Sequence, residues 1–194
     1  MKKNVLASLL ACFMAAATQV STQAQAAQNP PAGGGEQNAP TVSGPEYNAY
    51  MGAIQQQDPT AKASALEAFL TQYPNSVMKA SALEQLMSTY QAANNQAKVQ
   101  DAAKRLLTAD STNLRALALL TFFARQGVMG GKEVQQNLSD LQQYCTKGLE
   151  AVNAGKKPAG MKDEDYAKLK KDTSVLFNGG CGFAALQNKD YPNA

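Results

Sequence analysis

The residue types that most often perform chemistry in proteins are sparse in this chain. Its 194 residues include no histidine, so histidine-dependent triads, histidine metal sites and imidazole acid–base catalysis are excluded. Cys145 and Cys181 lie thirty-six positions apart, which is not a zinc-binding spacing. The glycines at 33–35 lie in a Pro/Gly-rich stretch and not between a strand and a helix, so they predict no phosphate loop. We therefore expect no enzyme activity, no metal and no cofactor.

Two charged clusters near residue 160 are the remaining candidates for chemistry. The consecutive acids Asp163, Glu164 and Asp165 could form a cation site, but acids in the first turn of a helix are explained more simply by its dipole. Lysines surround this run, and they could contact anionic lipid or cell-wall polymer, although solvated lysines at a hairpin tip are the simpler interpretation. These lysines are Lys156, Lys157, Lys162, Lys168, Lys170 and Lys171.

Cys145 and Cys181 have two possible roles. Each lies on the apolar stripe of a predicted helix, and the two helices are consecutive, so the thiols could face one another across a hairpin. A disulfide between them is allowed in an oxidising compartment. The alternative is that each is an unpaired, buried core residue.

The first twenty-six residues have the features of an export signal. Lys2 and Lys3 precede an apolar run from Val5 to Ala17, and Ala24-Gln25-Ala26 has the small-x-small pattern of a cleavage site. The apolar run is shorter than the roughly 20 residues that a membrane-spanning helix needs. We predict a signal peptide over residues 1–26, export to the periplasm or envelope, and no transmembrane span after cleavage.

The segment Leu9-Leu10-Ala11-Cys12 supports a competing interpretation. It resembles the lipobox of bacterial lipoproteins, in which the cysteine is acylated and becomes the new N-terminus. The apolar run continues past Cys12 to Ala17, whereas a lipobox normally ends such a run. Cleavage after Ala26 is favoured, and a lipid-anchored outer-membrane assembly subunit is the alternative.

The next segment, residues 27–44, is rich in proline and glycine and has almost no large apolar side chain. Such a stretch buries too little surface to offset its ordering entropy, which predicts a disordered linker. Removing residues 1–26 removes two lysines and no acids, so the formal net charge falls from +3 to +1. A nearly neutral chain without an arginine cluster is not expected to bind nucleic acid.

From residue 45 onwards the apolar residues recur at helical spacing, which predicts about seven helices and no strand. Helix starts are expected at Asp58, at Ser76, and at Asp110 or Ser111. The fifth helix is apolar nearly all round and should be the most buried. In the seventh, Gly179-Gly180 either kinks the helix or admits a neighbouring helix at close range.

One apolar register occurs three times along the chain. Its members are first Leu83, Leu86, Met87 and Tyr90, then, thirty-three positions later, Ala116, Leu119, Leu120 and Phe123, and finally Asn178, Cys181, Gly182 and Ala185. A period in the thirties is typical of stacked helical hairpins, each of which buries its apolar stripe against its neighbours.

These residues resemble the tetratricopeptide repeat (TPR) family. Leu83, Leu86 and Tyr90 fit the large apolar positions of the first helix of a repeat, and Leu106 fits a packing position of the second. The chain departs from the family pattern in having no tryptophan and in placing Met87 where glycine is usual. The segment 69–76 is similar to divergent repeats of bacterial envelope proteins.

The resemblance implies an all-α fold of TPR-like stacked helical hairpins, an α-solenoid, over residues 45–194. Side chains of the first helices would line its concave face and form a groove for a protein or peptide partner. The candidate groove residues are Tyr47, Asn48, Gln55, Lys79, Gln85, Ser88, Gln91, Arg115 and Arg125. The predicted function is that of an exported protein–protein interaction scaffold.

The third occurrence of the register ends where a second helix would begin in the family pattern. We therefore expect an incomplete last repeat and a chain that is the N-terminal part of a longer repeat protein. Without a partner helix, Phe177, Cys181, Ala184 and Ala185 would lack a cover. The alternative function is an accessory repeat segment of a longer enzyme or transport assembly whose active domain lies beyond residue 194.

Overall fold

Apolar residues at helical spacing produce seven helices in the computed structural model, which describes residues 42–158 and 160–190. This part of the chain contains no strand, so the predictions of an all-α fold and about seven helices are confirmed. The predicted signal peptide, Cys12, most of the predicted linker and residues 191–194 lie outside the described residues. The helices are α1 (Gly44–Ile54), α2 (Pro59–Gln72), α3 (Lys79–Ala92), α4 (Gln96–Ala109), α5 (Leu114–Met129), α6 (Val134–Ala154) and α7 (Asp163–Gln187).

Short polar side chains define several of the helix starts. Asp58 Oδ1 accepts a hydrogen bond from the backbone N–H of Ala61 at 2.7 Å, as the predicted cap requires. The predicted starts at Ser76 and at Asp110 or Ser111 are wrong. Met78 occupies the N-cap position of α3, and Asn113 caps α5 with its side-chain oxygen.

Each helix packs against the next one in sequence, as expected for helical hairpins connected by short loops. Helix α3 therefore lies between α2 and α4. In addition, α5 contacts α7, so α5, α6 and α7 form a group in which every pair of helices is in contact. None of the described helices is long and apolar enough to cross a membrane.

The most buried helix is α5, as its composition predicts. Nine of its residues are buried, more than in any other described helix. Its side chains enter the apolar cluster shared with α1 to α4 as well as two further clusters shared with α6 and α7. This helix therefore joins the two ends of the described fold.

The expectation that the apolar face of α7 lacks a cover is wrong. Phe177 and Ala184 are fully buried, Ala185 is buried and Cys181 is half-buried. The cover comes from α5 and α6: Phe177 packs with Leu117. Because α7 lies against two helices at once, its apolar face is covered within the described part of the chain.

Helix α7 is continuous through Gly179 and Gly180, so the alternative of close helix approach is the one observed. A Cβ added at Gly180 would lie 2.9 Å from Cγ2 of Thr121 on α5 and 3.3 Å from Cδ1 of Leu141 on α6. The absence of a side chain at Gly180 therefore lets α7 lie directly on both neighbours.

Cys145 on α6 and Cys181 on α7 form a disulfide, with their Cα atoms 5.6 Å apart. The Cys145 side chain is fully buried, and Cys181 is half-buried. The two cysteines face each other across the α6–α7 hairpin, which is the arrangement that the pairing hypothesis requires. This bond links the two longest described helices, and it joins the middle of α6 to the C-terminal half of α7.

Candidate functional site

Side-chain contacts link three of the odd-numbered helices, α3, α5 and α7. Arg115 on α5 donates a hydrogen bond from Nη2 to Oγ of Ser88 on α3, at 3.3 Å. On the other side of α5, Arg125 lies over the ring of Phe183 on α7. Helices α3, α5 and α7 therefore form a row. We call the surface of α1, α3, α5 and α7 the first-helix face, because these are the first helices of successive hairpins.

Glu84 lies at the centre of the contact between α3 and α5. Its Oε1 accepts a hydrogen bond from Nδ2 of Asn113 at 2.6 Å. Burial lowers the pKa of the Arg115 guanidinium, and the negative charge of Glu84 opposes that change. Burial raises the pKa of Tyr50 on α1, and Glu84 raises it further. One carboxylate thus acts electrostatically on residues from two other helices of the face.

The nine predicted groove residues are distributed along this face and have different environments. Ser88 and Arg115 are joined by a hydrogen bond, and both are half-buried. Lys79, Gln91 and Arg125 are also half-buried. The remaining four are exposed, and they are Tyr47, Asn48, Gln55 and Gln85.

Arg125 differs from the other candidates in its surroundings. Its Cζ atom lies 5.1 Å from the centroid of the Phe183 ring, which is within cation–π range. Its Nε atom is buried and has no hydrogen-bond partner among the described residues. The side chain is half-buried, so it is held against α7 and still reaches the surface.

Sequence reasoning did not identify Glu84 or Asn113 as parts of this face. The two residues are twenty-nine positions apart, and they belong to different hairpins. A polar residue on a helix surface has no sequence signal that distinguishes a solvated side chain from one that contacts the next helix. The repeat period in the sequence does not indicate that these two side chains form a hydrogen bond.

A second candidate is a cleft of about 550 Å³ between α2, α3 and α4. Because α2 and α4 both pack on α3, a space is left between them. Its floor includes Tyr90 and Thr89, which are buried, and its rim includes Lys98. The full lining is Pro59, Thr60, Ala63, Ser64, Glu67, Thr89, Tyr90, Ala93, Asn95 and Lys98.

Glu67 connects all three helices of this cleft. Arg105 on α4 donates to both carboxylate oxygens of Glu67, at 3.0 and 2.9 Å, and the Tyr90 hydroxyl donates to Oε1 at 3.2 Å. The pKa of Tyr90 is raised, first by burial and then by Glu67. The hydrogen bond to Glu67 is the largest cause of the raised pKa of Arg105. Glu67 therefore links α2 to α3 and α4 through its hydrogen bonds.

The charged residues around 160 lie at the surface near the start of α7. Asp163 forms an ion pair with Lys157, and Glu164 and Asp165 are exposed in the first turn of α7. Lys170 lies over the ring of Tyr166. Within residues 42–158 and 160–190 there is no group of three or more cysteine or acidic side chains that could hold a metal ion.

Comparisons with models of protein families, with curated proteins and with solved structures found no match to this chain. The first-helix face and the cleft are therefore the features from which a function is inferred. Glu67, which lines the cleft, is paired with Arg105. The first-helix face carries half-buried or exposed candidate side chains on α1, α3 and α5.

Proposed function

We propose that this protein is an exported protein–protein interaction scaffold that binds a peptide or protein partner on the first-helix face. The observation that supports the proposal is the row formed by α3, α5 and α7, with half-buried and exposed polar side chains on the first helices and the exposed Tyr47 on α1. In the TPR-like arrangement that the sequence resembles, this surface is the concave face. The N-terminal export pattern in the sequence supports a location in the bacterial envelope.

The face is suited to binding because its backbone is held by a well-packed core. Leu83, Leu86 and Met87 on α3 are fully buried, so the exposed residues between them project from a helix that cannot rotate without opening the core. Gln85 is such a residue. A surface that is rigid before binding loses less conformational entropy when the partner docks.

The composition of the face also matches that of protein-binding surfaces. Tyr47 is exposed over 51% of its surface, and tyrosine is enriched in interfaces because it combines a large apolar ring with a hydroxyl group. The glutamines at 55, 85 and 91 can both donate and accept hydrogen bonds from a peptide backbone. These side chains would bind a partner through noncovalent contacts.

Affinity capture from envelope extract would test this proposal. The full chain is used as bait, together with Gln85→Arg and Tyr47→Ala on the first-helix face. Gln143→Arg on α6 is the matched control, because Gln143 is also an exposed glutamine in the middle of a helix but lies outside the face. We expect the parent and the control to enrich the same partner, and both face variants to lose it.

Loss of the partner in the Gln143→Arg control as well would place the binding surface elsewhere. Failure of every bait to enrich a protein would count against the scaffold function. Mass spectrometry of the exported protein tests the compartment separately. A mature chain that begins at Ala27 supports signal cleavage, whereas an acylated Cys12 at the N-terminus would support lipid anchoring.

A further inference from the structure

Arg125 is a cation that the described part of the chain leaves without a carboxylate partner. No described ion pair involves it, and its buried Nε atom donates no hydrogen bond within residues 42–158 and 160–190. A buried guanidinium donor without an acceptor is costly, since the group has lost its water. The position of Arg125 on the first-helix face makes it accessible to a bound partner.

The surrounding helix provides no compensating negative charge. The only charged residues of α5 are Arg115 and Arg125, and α3 contributes one lysine, Lys79, and one acid, Glu84. The charge of Glu84 acts on Arg115, and its Oε1 also accepts from Asn113. Helices α3 and α5 together therefore carry three cations and one acid, and Arg125 is the cation farther along α5.

The contact with Phe183 orients Arg125 for binding. A guanidinium held against an aromatic ring by a cation–π contact can still donate hydrogen bonds from the N–H groups that do not face the ring. The planar edge of a guanidinium matches the two oxygens of a carboxylate, which it can bind with two parallel hydrogen bonds. A phosphate site would be expected to gather several cations, whereas a single oriented guanidinium is sufficient for a carboxylate.

We propose that the surface around Arg125 binds a glutamate or aspartate side chain of an acidic partner segment. This proposal rests on the proposed scaffold function and adds the chemical class of the partner. The carboxylate of the partner accepts from the Arg125 guanidinium, while the adjoining part of the segment crosses α5 and α3 toward Gln85. The expected partner segment carries acidic residues separated by small or polar ones.

Binding of a labelled peptide to the full chain tests the carboxylate preference. The peptide alternates glutamate and alanine over about ten residues, a length that spans three helices packed about 10 Å apart. A peptide with glutamine in place of glutamate is the matched control, because it has the same shape without the charge. We expect tighter binding of the glutamate peptide in fluorescence anisotropy, and weakening of that binding as salt is added.

Variants of the chain then locate the site. Arg125→Gln is expected to weaken binding of the glutamate peptide about tenfold, the usual size of one charge-assisted hydrogen-bonded contact. Arg125→Lys should bind with intermediate affinity, since it keeps the charge and loses the planar edge. Lys104→Gln on α4 is the control, because Lys104 is an exposed cation outside the face, and it should leave the affinity unchanged.

Phe183→Leu separates the charge of Arg125 from its orientation. This variant keeps the guanidinium and removes the ring below it, so we expect a loss of affinity smaller than that of Arg125→Gln. Thermal unfolding of each variant shows whether the fold is retained. If Arg125→Gln lowers the melting temperature but leaves the affinity for the glutamate peptide unchanged, the contact between Arg125 and Phe183 only stabilises the fold. That result would overturn the proposal.

The capture experiment distinguishes failure of this inference from failure of the scaffold function. If a partner is lost with Gln85→Arg but kept with Arg125→Gln, the face binds its partner without the carboxylate contact. Equal binding of the glutamate and glutamine peptides would also overturn the inference. If no bait enriches a partner and neither peptide binds, both proposals fail.

Discussion

Two glycines inside α6 and α7 have opposite environments. A Cβ added at Gly148 would lie 2.5 Å from three ring atoms of Phe177, which is itself fully buried. A Cβ added at Gly179 would meet nothing within 4 Å. The same amino acid in a helix interior is therefore required for packing at one position and is free of such a constraint at the other.

Substitution of these glycines by alanine should change stability in opposite directions. Gly148→Ala is expected to destabilise the protein by about 1 to 3 kcal/mol, since overpacking exceeds the gain of up to about 1 kcal/mol in helix propensity. Gly179→Ala should stabilise it by about 0.5 to 1 kcal/mol. Chemical denaturation measures both values, and a stabilised Gly148→Ala would contradict the observed contact with Phe177.

Tyr90 provides a residue-scale prediction for alkaline conditions. Its pKa is raised above the ordinary value of 10.0 by burial and by Glu67, so the folded protein holds this proton more tightly than the unfolded chain does. The resulting stabilisation is complete below pH 10 and is lost as the pH rises through the folded-state pKa. The free energy of unfolding, measured by denaturation at several pH values from 9 upward, should fall less steeply with pH in Tyr90→Phe than in the parent. Equal slopes for the two proteins would contradict the prediction.

At the scale of the helix, the apolar period identified which residues face the core. Leu83, Leu86 and Leu106 fit packing positions in the sequence pattern, and all three are fully buried. The helix starts were less predictable. Asp110 was one expected cap of α5, but its side chain accepts from the backbone of Thr112 within the turn, and Asn113 takes the cap position. Several short polar residues lie near each turn, and the backbone conformation of the turn determines which of them takes the N-cap position.

Truncation of Leu106 tests the core position that the α3–α4 hairpin shares with its neighbours. Leu106→Ala should cost about 2 to 5 kcal/mol of unfolding free energy, because it leaves a cavity in a fully packed region. Leu186→Ala is the matched control. Leu186 is exposed over 53% of its surface, so the change should stay within about 0.5 kcal/mol. Equal melting temperatures for Leu106→Ala and the parent would show that the core register is wrong.

At the scale of the whole molecule, contacts between successive helices hold the described fold together, and the disulfide adds a covalent link at the α6–α7 hairpin. The bond closes a loop over a sequence separation of 36 residues. In the chain-entropy model, a loop of this length is associated with about 4 kcal/mol of stabilisation. Because repeat-type folds transmit stability mainly between neighbouring units, its effect should be largest near the bond.

Removal of the disulfide is expected to lower stability unevenly along the chain. The double variant Cys145→Ala and Cys181→Ala should lose about 2 to 4 kcal/mol. Hydrogen exchange should accelerate more in α6 and α7 than in α1 and α2. A reducing agent should lower the melting temperature of the parent and leave the double variant unaffected. Uniform acceleration along all helices would show that the fold unfolds as one cooperative unit.

The sequence by itself determined the helical class, the number of helices and most core positions, because each of these depends on local spacing of apolar residues. It also placed Cys145 and Cys181 on the apolar stripes of consecutive helices, and the tertiary structure decided that they pair. Only the tertiary structure decided that α7 is covered by α5 and α6 and that Gly180 allows close helix packing. It also decided that Glu84 accepts a hydrogen bond from Asn113 and that Arg125 lies over the ring of Phe183. These outcomes depend on which helices become neighbours, and side chains that meet across helices are far apart in sequence.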